Sequence, residues 1–196
     1  MRSNVCKLYR GTEDLAAILK ESEKVAVYNE LDRKQTLQLR LLCEEIDGML
    51  PEIIGDFEGD MFIEFEEGVC RVNVSVEFKN FTPDKKDELI KVAKNKKNAA
   101  AVGIVGKIRS AIENFVLDED PLRAYAMSAG AIHMSMGSMD HSYGWSLEQY
   151  RCAVKQDQRT EEWDELEKSV IASVADDVTV GVKGKRANIV IVKKFA

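Results

Sequence analysis

The sequence predicts a two-layer α/β sandwich, a mixed or antiparallel sheet covered on one face by helices. Two stretches alternate apolar and polar residues with a period of two, one ending at Phe78 and one closing the chain. Helix start and stop signals separate and flank them, so hairpins and helices interleave. Finally, 196 residues with 45% hydrophobic content can bury one substantial core, which predicts a single domain over 1–196.

"VCKLY" is a short strand, and Thr12 followed by Glu13 and Asp14 supplies a cap and an acidic first turn for a helix from about Glu13 to Asn29. A second helix runs from Lys34 to about Met49, ending near Gly48 and Pro51, with "GDFEGD" as a polar, glycine-punctuated connection. Cys70, Val72, Val74, Val76 and Phe78 then alternate with Arg71, Asn73, Ser75 and Glu77, which buries one face of a strand. "MFIEFEE" completes that hairpin through Glu67-Gly68.

Thr82-Pro83-Asp84 opens a helix over "DKKDELIKVAKNKK", and Asn98 is placed to cap "AAAVGIVGKIRSAIENFV". Asp118 to Trp145, rich in Gly, Ser and Met and without a period, predicts a flexible loop or lid around 118–145. Two more helices follow, "SLEQYRCAVKQ" capped by Ser146 and "RTEEWDELEKSVIASVA" capped by Thr160. A hairpin turning at Lys183-Gly184-Lys185 finishes the chain.

A net charge of −6, from 34 acids and 28 bases spread along the chain, provides no broad basic face, so nucleic acid is not an expected partner. Cys6, Cys43, Cys70 and Cys152 are scattered without a C-x-x-C pair, which predicts reduced thiols rather than a disulfide scaffold or a zinc site. The start lacks an apolar signal core, and no stretch approaches the roughly 20 apolar residues that span a bilayer. A cytoplasmic protein without a membrane partner is expected. His133, Asp140 and His141 lack a recognised ligand spacing, so no metal site is predicted.

The chemistry-bearing residues concentrate in "LRLLCEEIDGML". At about 100° per residue Leu39, Leu42, Ile46, Met49 and Leu50 share one arc, with Glu44 at its rim one turn before Gly48. Carboxylates so near an apolar face are costly unless paired or useful, and the same pattern also suits a slightly untidy amphipathic helix with solvated acids. In "NKKNAAAVGIVGKIRS", Lys96, Lys97 and an Asn98-capped helix start with Gly103 and Gly106 suit an anion. The same residues also suit an ordinary capped helix whose glycines permit close packing. A Walker A loop is excluded, since it would want glycine at Ala101 and a hydroxyl at Ile108 around Gly106-Lys107.

The order of these parts resembles the GHKL, histidine-kinase-like ATPase fold of gyrase, MutL, histidine kinases and bacterial anti-sigma-factor kinases, and is closest in layout to the last. In that family one helix carries Glu-x-x-x-Asn, its Glu activating water or substrate and its Asn holding magnesium. Glu44-Glu45-Ile46-Asp47-Gly48 occupies the matching place, with the Glu present and Gly48 replacing the Asn. The family's Asp-x-Gly-x-Gly, which receives adenine, has no counterpart in "VSVEFKNFTPDKKD", where Glu77 is the nearest acid, one position off register. Gly103 and Gly106 match the glycine-containing turn under the phosphates, and "DDVTVGVKGKRANIVIVKKF" resembles the closing hairpin of anti-sigma-factor kinases.

The resemblance thus implies Glu44 as catalytic base and Gly48, Asn98, Gly103 and Gly106 as nucleotide contacts. ATP is the implied ligand, with Mg2+ in question at Gly48, and a regulatory protein or a second copy of the chain is the implied partner. Two functions follow from it. One is a divergent ATP-binding regulator with weak or no catalysis; the other is a nucleotide-independent binding or dimerisation module on the same fold.

Overall fold

The structure, a computed structural model, describes residues 1–9, 15–78, 103–117, 143–156 and 169–195. Among them six strands form one sheet: β1 (Cys6–Tyr9), β2 (Phe57–Glu66), β3 (Val69–Phe78), β4 (Tyr143–Ser146), β5 (Asp177–Lys183) and β6 (Arg186–Lys194). Their order is β1-β2-β3-β6-β5-β4, with every neighbouring pair antiparallel. Five helices accompany them: α1 (Leu15–Tyr28), α2 (Arg33–Ile54), α3 (Gly103–Leu117), α4 (Leu147–Gln156) and α5 (Val170–Val174). The α/β class and the antiparallel sheet agree with the sequence expectation, and the arrangement is compatible with two layers.

Both expected hairpins form. Glu67 and Gly68 take φ of 48° and 76°, the left-handed pair that a two-residue turn between twisted strands demands, and Gly184 takes 62° in the closing hairpin. The hairpins join through β3 and β6, where Val72 stands opposite Ile191 and Val74 opposite Ile189. Alternation then puts Met61, Ile63, Val72, Val74, Val178, Val180, Ile189 and Ile191 among the buried residues. Leu39, Leu42, Ile46 and Leu50 of α2, each 0% exposed, belong to the same core.

The second helix is longer than its sequence predicts. Asp32 opens it with a capping box: its Oδ1 accepts from the Gln35 amide at 2.8 Å, and Gln35 Oε1 accepts from the Asp32 amide at 2.9 Å. It runs on through Gly48 and Pro51 because Met49, Leu50 and Ile53 are buried. Burying each such side chain is worth about 1.5–3 kcal/mol, together more than the roughly 3 kcal/mol an interior proline costs. Gly55, with φ of 81°, ends it by donating its amide to the Pro51 carbonyl at 3.0 Å. "GDFEGD" is accordingly not all connection, since β2 already begins at Phe57. Gly59 lies within this strand, where an added Cβ would stand 2.3 Å from the Ser75 carbonyl oxygen.

Two further boundaries differ. Tyr143 to Trp145, assigned from sequence to the loop, belong to edge strand β4 paired with β5, and Trp145 is buried with its ring 6.0 Å from that of Tyr150. Ser169 is not mid-helix but extended, with φ −80° and ψ 125°, and its side chain accepts from the Ala172 amide to start α5. Thr160, the helix over "DKKDELIKVAKNKK" and residues 118–142 of the expected lid lie outside the described residues.

The first residues extend the sheet edge and are tied to α1 by Glu21, a buried acid that accepts from the Asn4 amide at 3.1 Å and the Asn4 side chain at 3.2 Å. Lys24 also donates to it, and these bonds, the Lys24 contact foremost, hold its carboxyl below the ordinary value of 4.5.

Leu42→Ala should cost about 2–5 kcal/mol in chemical denaturation, the range for emptying a well-packed Leu site. Unchanged stability would remove α2 from the core. Because the Glu21 pKa is lower folded than unfolded, its stabilisation is present above 4.5 and disappears as pH falls through the folded value. Glu21→Gln should therefore lower the melting temperature at neutral pH, and the gap to wild type should close on acidification.

Candidate functional site

The candidate site is built on α2, whose rotation is set by its buried side. With Leu39, Leu42, Cys43, Ile46, Met49, Leu50 and Ile53 turned into the core, positions 40, 44, 48 and 52 form an outward row at successive turns. Arg40 Nε donates to Glu44 Oε1 at 3.0 Å, and Arg40 Nη1 lies 3.4 Å from Glu23 Oε1 of α1. The Glu44 and Arg40 side chains are 36% and 43% exposed. Gly48 is exposed, and a Cβ built on it would meet nothing within 4 Å.

From the other side α3 packs on α2 and on β5. Ile104, Ile108, Ala111 and Ile112 anchor it in the core. Arg109 Nε donates to Glu113 Oε1 at 2.8 Å, and its Nη1 reaches the Glu52 carbonyl at 3.5 Å, one turn beyond Gly48. Gly103 is the first described residue of α3, and Gly106 is buried, as a glycine serving close packing would be. Asn98, with Lys96 and Lys97, lies outside the described residues, as do His133, Asp140 and His141.

The structure thus brings the helix of Glu44 and Gly48 against the helix of Gly103 and Gly106. It does not bring Glu77 there. Between buried Val76 and Phe78, Glu77 emerges on the opposite sheet face and lies 3.4 Å from Arg186 Nη2. Sequence reasoning passed over Arg40 and Arg109, because exposed arginines on amphipathic helices read as solvated. The available signal was that each stands four residues before a glutamate, the spacing of an intrahelical ion pair.

The residues on the row do not fit magnesium. Gly48 brings no oxygen, Glu44 Oε1 is engaged by a guanidinium, and no group of three or more His, Cys, Asp or Glu side chains placed to hold a metal occurs among the described residues. For a proton transfer, an incoming hydroxyl would have to use Oε2 of Glu44 or displace Arg40 from Oε1.

All four cysteines are free thiols. Burial raises the Cys43 thiol, with Cys70 and Cys6 adding to the effect, and pushes Cys70 up to about 12. No helix among the described residues is long and apolar enough to cross a membrane. No family model, curated protein or solved structure matches the chain.

A thiol-reactive probe at neutral pH should modify exposed Cys152 first and leave Cys43 and Cys70 unlabelled until the chain unfolds. Mass mapping of the labelled peptides reads the order, and early labelling of Cys43 would contradict the packing of α2.

Proposed function

We propose that this protein is a divergent ATP-binding regulatory protein of the GHKL type, nearest in layout to anti-sigma-factor kinases, with weak or no phosphoryl transfer. The observation that supports it is the placement of α2. The helix carrying Glu44, with open space at Gly48 one turn on, follows β1 and α1, precedes the first hairpin and packs against the helix that bears Gly103 and Gly106. In this reading Glu44 is the candidate base, Asn98 and Gly103 are the implied phosphate contacts, buried Gly106 serves the packing of α3, and the setting is cytoplasmic. A regulatory protein or a second copy of the chain is the partner class.

Weak catalysis follows from two features of the row: Gly48 offers no side-chain oxygen, and Arg40 holds Glu44. The same Arg40 contact favours, as second reading, a binding or dimerisation module that has kept the fold without the nucleotide.

Calorimetric titration with ATP and ADP, with and without magnesium, separates the two. Wild type should bind weakly, gain little from magnesium and hydrolyse ATP near background. Gly48→Asn puts an amide one turn from Glu44 and, with space around the site, should add a magnesium-dependent increment in ATP affinity. Absence of binding by either protein at millimolar ligand would leave the binding-module reading.

A further inference from the structure

We infer that the outward face of the α1–α2 hairpin is a dimerisation surface, on which a second copy of this chain packs about a two-fold axis as an antiparallel four-helix arrangement. The inference rests only on the second-copy partner named above, independently of the nucleotide, and gives that partner its surface. Two observations carry it. The exposed apolar side chains gather at this end of the chain, and the charges beside them complement their own image under a two-fold.

Among the described residues the exposed large hydrophobic side chains all lie between Met1 and Leu37. Scattered apolar residues on a surface are ordinary, whereas a gathered set marks a contact. Val27 is 80% exposed and Leu37 56%. Each stands on the side of its helix away from the core, since Ile18, Ser22 and Val25 of α1 and Leu39, Cys43 and Ile46 of α2 are buried. The hairpin sets the two side by side. Glu23 of α1 lies 3.4 Å from Arg40 of α2, and one turn from that pair toward the connecting residues brings Val27 level with Leu37.

One turn the other way Lys20 stands level with Glu44, and a further turn brings Ala16 level with Gly48. These positions are exposed apart from Glu44, whose side chain is 36% exposed. A two-fold axis parallel to the helices, lying between two such faces, keeps every level and lays α1 of one copy antiparallel over α2 of the other. Val27 then meets Leu37 of the second copy, and Lys20 meets Glu44, each contact occurring twice. Glu44 has Oε2 for this, since Oε1 is held by Arg40. Ala16 meets Gly48, where an added Cβ would have nothing within 4 Å, so the helices can approach closely at that end. Complementarity of the face to its own image favours a second copy over an unrelated partner.

The test is sedimentation equilibrium of the full chain over a concentration series without nucleotide, with thermal melts to confirm that each variant is folded. Wild type should show a reversible monomer–dimer equilibrium. Leu37→Asp should raise its dissociation constant roughly tenfold or more, because the contact buries the new charge twice, and Val27→Asp should do likewise. Lys20→Glu alone and Glu44→Lys alone each set like charges together at both occurrences of the contact and should weaken dimerisation about tenfold. Mixed in equal amounts, these two variants should form a heterodimer of wild-type affinity, since both contacts then join opposite charges. A change confined within one folded chain gives no such recovery. A wild type that is monomeric at every concentration overturns the surface and the second-copy partner together, and leaves the nucleotide reading to its own titration. A dimer that Leu37→Asp and Val27→Asp leave intact overturns the surface while a second copy stands as partner. Charge variants that stay weak on mixing overturn the two-fold pairing and the inference with it.

Discussion

Everything in this fold depends on the burial of one side of α2. Leu39, Leu42, Cys43, Ile46 and Leu50 are each 0% exposed, in the core shared with the inward residues of the central strands. That contact sets the rotation of the helix to within a fraction of a residue, because a turn of 100° would drive Arg40 or Glu44 into the core and lift a leucine out. The row of Arg40, Glu44, Gly48 and Glu52 is therefore a by-product of packing. Its outward direction needs no specific interaction of its own.

Around this core two of the described helices, α2 and α4, start on the chain's own acids. Asp32 caps α2, while the Asp177 carboxylate accepts from the Ser146 hydroxyl at 3.1 Å, the Glu148 amide at 3.0 Å and its neighbour's amide at Val178 at 2.8 Å. The positive end of α4 thereby receives a negative charge from within the molecule and is not left to an external anion. Beside it Arg151 donates to the carbonyls of Ala172, Ala175 and Asp176, satisfying the end of α5, and Asp176 accepts from the Lys194 amide at 2.6 Å. These contacts lock β4, α4 and α5 onto the closing hairpin, the part of the chain farthest in sequence from α2.

The chemistry of the α2 row is that of a neutralised surface. Glu44 spends one oxygen on Arg40, and the next turn carries no side chain. Charge on this face is already paired within each helix, in Arg40 with Glu44 and Arg109 with Glu113. That pairing distinguishes it from a site built around a cation.

Local pattern determined the hairpins, their turns and the apolar side of α2, because period-two alternation, left-handed turn positions and the i, i+3, i+4 spacing depend only on neighbouring residues. It also determined Ser146 as a cap. Tertiary structure alone decided that α2 continues through Pro51, since the compensating burial of Leu50 and Ile53 comes from the rest of the core. It decided that Tyr143 to Ser146 form an edge strand, for that segment has no period of its own and acquires its pairing from β5. The face of Glu77, by contrast, was already legible in the alternation of β3, since a single residue cannot change sides without moving all its neighbours. The contact of Arg109 with the Glu52 carbonyl became visible last, because the two residues are 57 positions apart in the chain and only the packing of α3 on α2 brings them together.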